Sequence, residues 1–447
     1  MLLGRFLRNR DASVAPMLAL AALPLFGFVG AAIDFSRGAS VRTSMQGALD
    51  ATALMLAKNA QTMSAADLSQ QATSDFKAQF NRPEAYNVTV TPQYTQPAPG
   101  NFQLKITAAA TVDTKFTRLI GQSTINMSTS STVLWGIKKL NLALVLDNTG
   151  SMAQNNKMTN LKTAAHNLLS TLQNASTNNG DVQVAIVPFA TDVNVGTNNS
   201  TAYWVDWTDW EASNGTCSKS GSSTQSACVG TGTCSKSSKT SQSSCQTAGG
   251  TWTWATWAHA NHSTWNGCVE DRDQNNDVSN TATVAGAPAT LYRAHQADNC
   301  PTSMIALSTS WTALNSKVDA MTPTGNTNVT VGLQMGFQLV SPVEPFNAPA
   351  AAPDLDKAIV ILTDGTNTQN RWSSSESSID ARTQKVCDNI KAANIQLYTV
   401  RVIDGNATLL QGCATKLSMY YDVSQAVQLN SVFSSIAQNL ANLRITQ

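Results

Sequence analysis

The stretch "LNLALVLDNTGSM", Leu140 to Met152, is an apolar run broken only by Asn141, and it ends in three oxygen side chains, Asp147, Thr149 and Ser151. A short apolar run of this kind suits a strand buried on both faces. Three more follow: "VQVAIVPFA" (182–190), "KAIVILTDG" (357–365) and "IQLYTVRVI" (395–403). Around them the apolar spacing predicts helices over 156–174, 303–321, 328–340, 375–393 and 426–443. Buried strands alternating with helices predict an α/β fold with a doubly wound, mostly parallel sheet over residues 139–447. Such sheets bind ligands beyond the carboxyl ends of their strands, near the point where strand order reverses. Asp147 and Asp364 each stand just past such an end, so they are expected to converge.

Thr327 joins this set. It lies in "TPTGNTNVTVGL" (322–333), which opens a predicted helix after a glycine-bearing turn. Two carboxylates and three hydroxyls are hard oxygen donors, suited to Mg²⁺ or Ca²⁺ and not to zinc or copper. Mg²⁺ keeps several waters, so a site with few direct protein ligands leaves a coordination position open. Only two carboxylates face the doubly charged ion, which leaves room for an acidic group from a protein partner. The candidate metal ligands are therefore Asp147, Thr149, Ser151, Thr327 and Asp364. Mg²⁺ is the first expectation, with Ca²⁺ or Mn²⁺ as alternatives. The blander reading is a polar strand-to-helix turn with a helix cap.

"DNTGS" (147–151) resembles the Asp-x-Ser/Thr-x-Ser motif of von Willebrand factor type A domains, the metal-ion-dependent adhesion site. Thr327 in its "GNT" turn and Asp364 in "LTDG" fit that family's two remaining elements. The resemblance implies that Thr149 and Ser151 are direct ligands, that Asp147 and Asp364 act mostly through water, and that Thr327 is state-dependent. "LVLDNTGS" also resembles the phosphorylated-Asp motif of haloacid-dehalogenase-like phosphatases, which would make Asp147 a nucleophile beside Mg²⁺. Against that enzyme reading, "TDGTNTQN" (363–370) lacks the second Asp of the late motif, and no well-placed Lys stands out. The expectation is a binding protein, not an enzyme.

Residues 194–300 interrupt the strand–helix rhythm with Ser, Thr, Gly and Cys, and with Trp at 204, 207, 210, 252, 254, 257 and 265. They read as an inserted subdomain that relies on disulfides and tryptophans in place of an aliphatic core. The tryptophans are expected to pack that small core, with a contact surface for a partner or glycan as the alternative. "TCSKSGSSTQSACVG" and "TCSKSSKTSQSSCQT" are an internal duplication. The chain has eight cysteines. The expected pairs are Cys217–Cys228, Cys234–Cys245, Cys268–Cys300 and Cys387–Cys413, although spacing alone does not fix connectivity. In "EDRDQNND", Asp271, Asp273, Asn275 and Asp277 have calcium-loop spacing, but Asn276 and Ala282 replace the loop's Gly and Glu. A solvated acidic loop is the expectation there. His259 and His262 lie among tryptophans, and a zinc site would need two further ligands. His166 and His295 have no partner visible in the sequence.

The chain has 447 residues, a formal net charge of +1 and only 13% charged residues, with no basic stripe to neutralise phosphates, so nucleic-acid binding is not expected. Ala12 to Ile33 is uncharged, and its 22 residues would span roughly 33 Å as a helix, enough to cross a bilayer. Arg5, Arg8 and Arg10 precede it and should stay cytoplasmic, which sends the rest outside, where disulfides persist. An uncleaved anchor is favoured over a signal peptide, whose apolar region is shorter. The helical pattern continues beyond it, with Val41, Met45, Ala48, Thr52 and Met55 on one side and Asp34, Arg37, Arg42 and Asp50 off it. "YNVTVTP", "NFQLKITAAATV" and "TINMSTSSTVLW" then predict strands, with "TQPAPG" (95–100) as a loop. The expected divisions are 1–36 (cytoplasmic N-terminus and anchor), 37–136 (extended helix and small α+β module) and 139–447.

This N-terminal segment resembles TadG-like Flp pilus-assembly proteins. The resemblance rests on Arg10–Asp11, Ile33–Asp34, Met45–Gln46 and Asp50 to Leu54. It implies a single-pass protein of the bacterial inner membrane with its bulk periplasmic, and pilus or envelope components as partners. Together the readings predict a metal-dependent binding or adhesion component, with a passive structural envelope protein as a further alternative.

Overall fold

The computed structural model describes residues 14–57, 59–60, 63–98, 101–136, 138–176 and 178–443. The described residues form two compact units, one from 14 to 136 and the other from 138 to 443. The arginines ahead of the apolar segment, and the Arg10–Asp11 pair, lie outside the described residues.

The first unit opens with α1 (Val14–Ala57), one helix of 44 residues with Pro24 inside it. Its leading part is long and apolar enough to cross a membrane, by length and composition. Met17, Leu20, Phe26 and Phe28 stand exposed along it. Further on, Val41, Met45, Ala48 and Thr52 are buried at the spacing the sequence predicts, but Met55 is exposed and Leu56 takes its place. After α2 (Ala65–Gln79) come β1 (Ala85–Ala98), β2 (Asn101–Asp113) and β3 (Thr124–Gly136), an antiparallel sheet with β2 in the centre.

Every second residue of β2 from Phe102 to Val112 is buried, and these pack with the α1 stripe and with Leu68 and Phe76 of α2. Each large apolar side chain so buried contributes about 1.5–3 kcal/mol. One expectation changes, and one buried carboxylate is new. Thr95 to Ala98 extend β1, with Thr95 opposite Gln103, so less of "TQPAPG" is loop; Pro99 and Gly100 lie outside the described residues. Pro97 costs little there, because β1 is an edge strand. Asp34, off the apolar stripe, is nevertheless buried. Its carboxylate accepts the backbone N–H groups of Lys115, Phe116 and Thr117, each at 2.8 Å.

The second unit is mixed α/β. Its main elements are β4 (Lys139–Asp147), α3 (Lys157–Ala175), β5 (Val182–Phe189), β6 (Ile305–Ser308), α4 (Trp311–Ala320), α5 (Val329–Leu339), β7 (Leu355–Thr363), α6 (Glu376–Ala392), β8 (Gln396–Val402), α7 (Ala407–Cys413), β9 (Tyr420–Val423) and α8 (Leu429–Leu443). Their sheet order is β9-β8-β7-β4-β5-β6, parallel throughout except for β6 against β5. Strand β6 and helix α4 replace the single helix predicted over 303–321. Ile305 pairs with Ile186 in the sheet, and the Ser310 hydroxyl caps α4 by accepting from the N–H of Ala313.

Side chains alternate across β4, which explains its unbroken apolar run. Leu142, Leu144 and Leu146 face α3, α4 and α8, while Ala143 and Val145 face α5 and α6. Helix α5 approaches the sheet closely. A Cβ on Gly336 would stand 2.6 Å from Val145, so nothing larger than glycine fits without a shift.

The chain leaves β5 through Val193–Asn194 and returns at β6. Between them Val205–Asp206, Cys268–Glu270 and Tyr292–His295 join the sheet beyond β5. All four expected disulfides are present. Each removes roughly 3–4 kcal/mol of unfolded-chain freedom. The duplication is structural. In each copy a short strand, Gly215–Cys217 or Gly232–Cys234, is tied by a disulfide to a short helix and paired with a strand that begins at Trp257 or Trp252. Trp204, Trp210 and Trp265 are buried, and Trp254 is half exposed. Packing therefore accounts for most, not all, of the tryptophans.

Candidate metal centre

Strands β4 and β7 run in register, with Leu146 opposite Leu362, so Asp147 and Thr363 leave the sheet side by side. This is where strand order reverses: the chain builds β5 and β6 on one side of β4, then β7, β8 and β9 on the other. Asp147 is fully buried. Its Oδ1 accepts from the Thr149 N–H (2.8 Å) and hydroxyl (2.6 Å). Its Oδ2 accepts from the Thr363 hydroxyl (2.7 Å) and the Asp364 N–H (3.3 Å). Burial pushes the Asp147 carboxyl up to about 6, as does the charge of Asp364, while the hydrogen bonds from Thr149 and Thr363 hold it down.

The protons of the two motif hydroxyls are both taken. Thr149 donates to Asp147, and Ser151 donates to Oδ1 of Asp364 at 2.6 Å. Their lone pairs are left to face elsewhere. The two hydroxyl oxygens are 3.0 Å apart. Neighbouring ligands of an octahedral ion with bonds of about 2.1 Å are separated by about 3.0 Å. The third loop is docked against the first: Gly150 N–H donates to Gly325 O at 3.0 Å, and Thr324 N–H to Asn148 O at 2.7 Å. Gly325 has a positive φ of 75°, which favours glycine at this turn. A Cβ placed on Gly365 would lie 3.5 Å from the Thr327 hydroxyl and 3.8 Å from that of Ser151, so both flank one small space. The structure thus brings Asp147, Thr149, Ser151, Thr327 and Asp364 together from three loops.

Two residues at this place were not anticipated. The Lys157 ammonium, 2% exposed, lies 2.8 Å from Oδ2 of Asp364 and 3.4 Å from Oδ2 of Asp404. The sequence carried a signal for Asp404: "VIDG" (402–405) ends β8 as "LTDG" ends β7. Lys157 opens α3 ten residues after Asp147, in a segment otherwise without charge, and it corrects the expectation that no lysine is well placed.

The acidic loop is also corrected. Asp271 and Asp277 are buried, not solvated. Arg382 pairs with Asp277, Arg371 and Arg293 pair with Asp273, and Asn275 accepts from Arg382. Arginines occupy the carboxylates that a calcium loop would need. Asp271 accepts instead from the side chain of Asn328 (2.8 Å), the residue after Thr327, and from the Arg371 N–H (3.2 Å). Burial pushes the Asp271 carboxyl up to about 7. The bonds from Arg371 and Asn328 oppose this, and the charges of Asp277 and Glu270 add to it. The folded state therefore keeps a proton that the unfolded chain releases between about pH 4 and 7, and stability falls as pH rises through that window. Asp271→Asn should flatten the pH dependence and raise the melting temperature at about pH 8. Thermal unfolding across pH checks this, and parallel curves for the two proteins would count against it. The remaining histidines do have partners: His166 contacts Asn315 and Asp319, and His295 contacts Asp192.

No curated protein sequence matches this chain. Among solved structures, the pilus adhesin SpaC from Lactobacillus rhamnosus GG is similar at 12% identity and a TM-score of 0.38, over 82% of this chain and 36% of that one. The chain thus spans little more than a third of SpaC. The vWF domain of the type V pili tip protein Mfa5 from Porphyromonas gingivalis is similar at 10% identity and a TM-score of 0.37, over 70% of this chain and 97% of that one. Proximal thread matrix protein 1 from the mussel byssus, in a structure with a zinc-occupied MIDAS motif, is similar at 12% identity and a TM-score of 0.32, over 70% and 48%. At these identities and scores, no residue role is carried over from them. The model of the family described as "Putative Flp pilus-assembly TadE/G-like" matches residues 12–58.

Proposed function

We propose that this chain is a membrane-anchored, extracytoplasmic adhesion or binding component of a Tad/Flp-type pilus system. In this reading its second unit is a von Willebrand type A-like domain that binds a partner through a divalent cation. The carrying observation is the pair of hydroxyls, Thr149 and Ser151, whose protons are held by carboxylates and whose oxygens sit at the spacing of neighbouring ligands. Thr149 and Ser151 would hold the ion directly and Thr327 in a state-dependent way, with Asp147 and Asp364 fixing the hydroxyls and acting on the ion mostly through water. The ion supplies positive charge at an open position, and a carboxylate of the partner protein is the group that fits. Mg²⁺ suits the 3.0 Å oxygen spacing better than Ca²⁺, whose longer bonds set neighbours further apart.

The family match at residues 12–58 and the apolar leading part of α1 support the anchor. Arg5, Arg8 and Arg10 ahead of it favour a cytoplasmic N-terminus with the bulk periplasmic, at the inner membrane. The test is a pull-down from envelope extracts with the detergent-solubilised full chain, with and without a chelator. A specific protein retained only with Mg²⁺ is expected. Equal capture in the chelator, or no specific capture, would overturn the reading and favour a passive envelope spacer.

Lys157 beside Asp364 gives the phosphatase reading an observation of its own. Access opposes it. Each carboxylate oxygen of the buried Asp147 already accepts two hydrogen bonds, so neither is free to attack phosphorus. Steady turnover of an aryl phosphate with Mg²⁺, lost in Asp147→Asn, would reverse that judgement.

A further inference from the structure

The insertion brings two neighbouring histidines, His259 and His262, together with a glutamate that stands 51 residues ahead of the second of them. Glu211 sits on the short helix Thr208–Ser213, His259 ends the strand Trp257–His259, and His262 opens the turn His262–Thr264. One ligand atom from each lies within 4.8 Å of the others. We propose that Glu211, His259 and His262 form a second metal site, separate from the oxygen cluster, for a late first-row transition ion of the zinc class. The proposal does not depend on the adhesion reading above.

The donor chemistry points to that class. Two imidazoles and one carboxylate suit zinc, whereas Mg²⁺ and Ca²⁺ take oxygen ligands. The ring orientations are set by neighbours. His262 stacks flat on Trp207, with centroids 3.7 Å apart and planes 8° apart. That contact turns its Nε2 to Glu211 Oε1 at 2.9 Å. Nδ1 of His259 lies 3.3 Å from the carbonyl of Ala260, which holds the ring proton on that side and leaves Nε2 as the lone-pair nitrogen. The supports are tied down as well. The indole N–H of Trp257 donates to the carbonyl of Glu211 at 2.9 Å. Trp257 also pairs with Cys217, whose disulfide to Cys228 closes the first repeat.

Tetrahedral zinc with bonds of about 2.0–2.1 Å needs donor atoms about 3.3 Å apart. His259 is exposed and Glu211 about one-third exposed, so both can turn inward by the small remaining distance. Three protein ligands leave a fourth position. A surface pocket of about 530 Å³ lined by Ser200, Thr201 and residues 259–263 opens beside the two histidines, giving water or an outside side chain access to that position. The ion would clamp helix, strand and turn of the insertion into one rigid surface.

The test uses the full chain in detergent, stripped with a chelator and titrated with Zn²⁺ against a chromophoric indicator in excess Mg²⁺. Wild type should bind one equivalent that Mg²⁺ does not displace. His259→Ala, an exposed position that carries no core packing, and Glu211→Gln should each weaken Zn²⁺ at least tenfold, with unchanged circular dichroism. Co²⁺ in place of Zn²⁺ should give the visible absorption of a four-coordinate site, lost in both variants. Wild-type affinity in both variants, no Zn²⁺ uptake, or uptake that excess Mg²⁺ displaces would overturn the proposal.

Discussion

Ser151→Ala should lower Mg²⁺ affinity at least tenfold and abolish chelator-sensitive capture of a partner, while the melting temperature in chelator stays near that of the wild type. The substitution removes one hydroxyl from a half-buried position at the first turn after the loop, and no apolar packing. It costs Asp364 one hydrogen bond, but Lys157 still satisfies the other carboxylate oxygen. The folded state should therefore lose about 1 kcal/mol. Asp147→Ala should abolish binding more completely, and it is the less clean experiment. That carboxylate accepts four hydrogen bonds in a fully buried place, and each donor left unpaired costs about 1–3 kcal/mol. Isothermal calorimetry with Mg²⁺ on the full chain, beside thermal unfolding in chelator, separates the two effects. Undiminished Mg²⁺ affinity in Ser151→Ala would remove this hydroxyl from the ion's ligands and, with it, the spacing argument.

What was legible in the sequence was what depends on period and on strand ends. Strands β4, β5, β7 and β8 are apolar on both faces, so their positions could be read directly. The convergence of Asp147, Thr149 and Ser151 with Asp364 could be read because parallel strands deliver their carboxyl ends to one edge, as the register of β4 with β7 does, whereas Thr327 stands in the turn ahead of α5 and was read from that turn. Strand β6 was missed because its four residues precede the Ser310 cap and merge with the apolar pattern of α4. The burial of Asp34 was not legible for a different reason. Its partners are backbone N–H groups 81 to 83 residues away, which side-chain patterns do not reveal. Glu211 was invisible for the same reason, standing far ahead of the histidines it meets. Arginine pairing of the acidic loop depends on Arg371 and Arg382, which arrive from the segment after β7 and from α6.

Lys157→Met should make the stability of the second unit strongly metal-dependent. In wild type the ammonium is buried against Asp364, itself close enough to Asp147 to raise that carboxyl. Methionine keeps most of the apolar stem and removes the charge, leaving two carboxylates at one strand edge without a fixed cation. Removing one partner of a buried pair costs about 3–5 kcal/mol. For a domain of this size that is a fall of roughly 6–15 °C in melting temperature. A divalent ion would restore most of the lost charge balance, so the gap between melting in chelator and in saturating Mg²⁺ should widen well beyond that of wild type. Mg²⁺ affinity should rise at least tenfold, because Asp364 no longer shares its charge with the lysine. Asp404, whose side chain is 68% exposed, cannot substitute for this effect, and Asp404→Asn should change the gap little. If Lys157→Met melts lower by the same amount with and without Mg²⁺, the lysine is only a structural ion-pair partner. No cation would then be taking its place between the carboxylates.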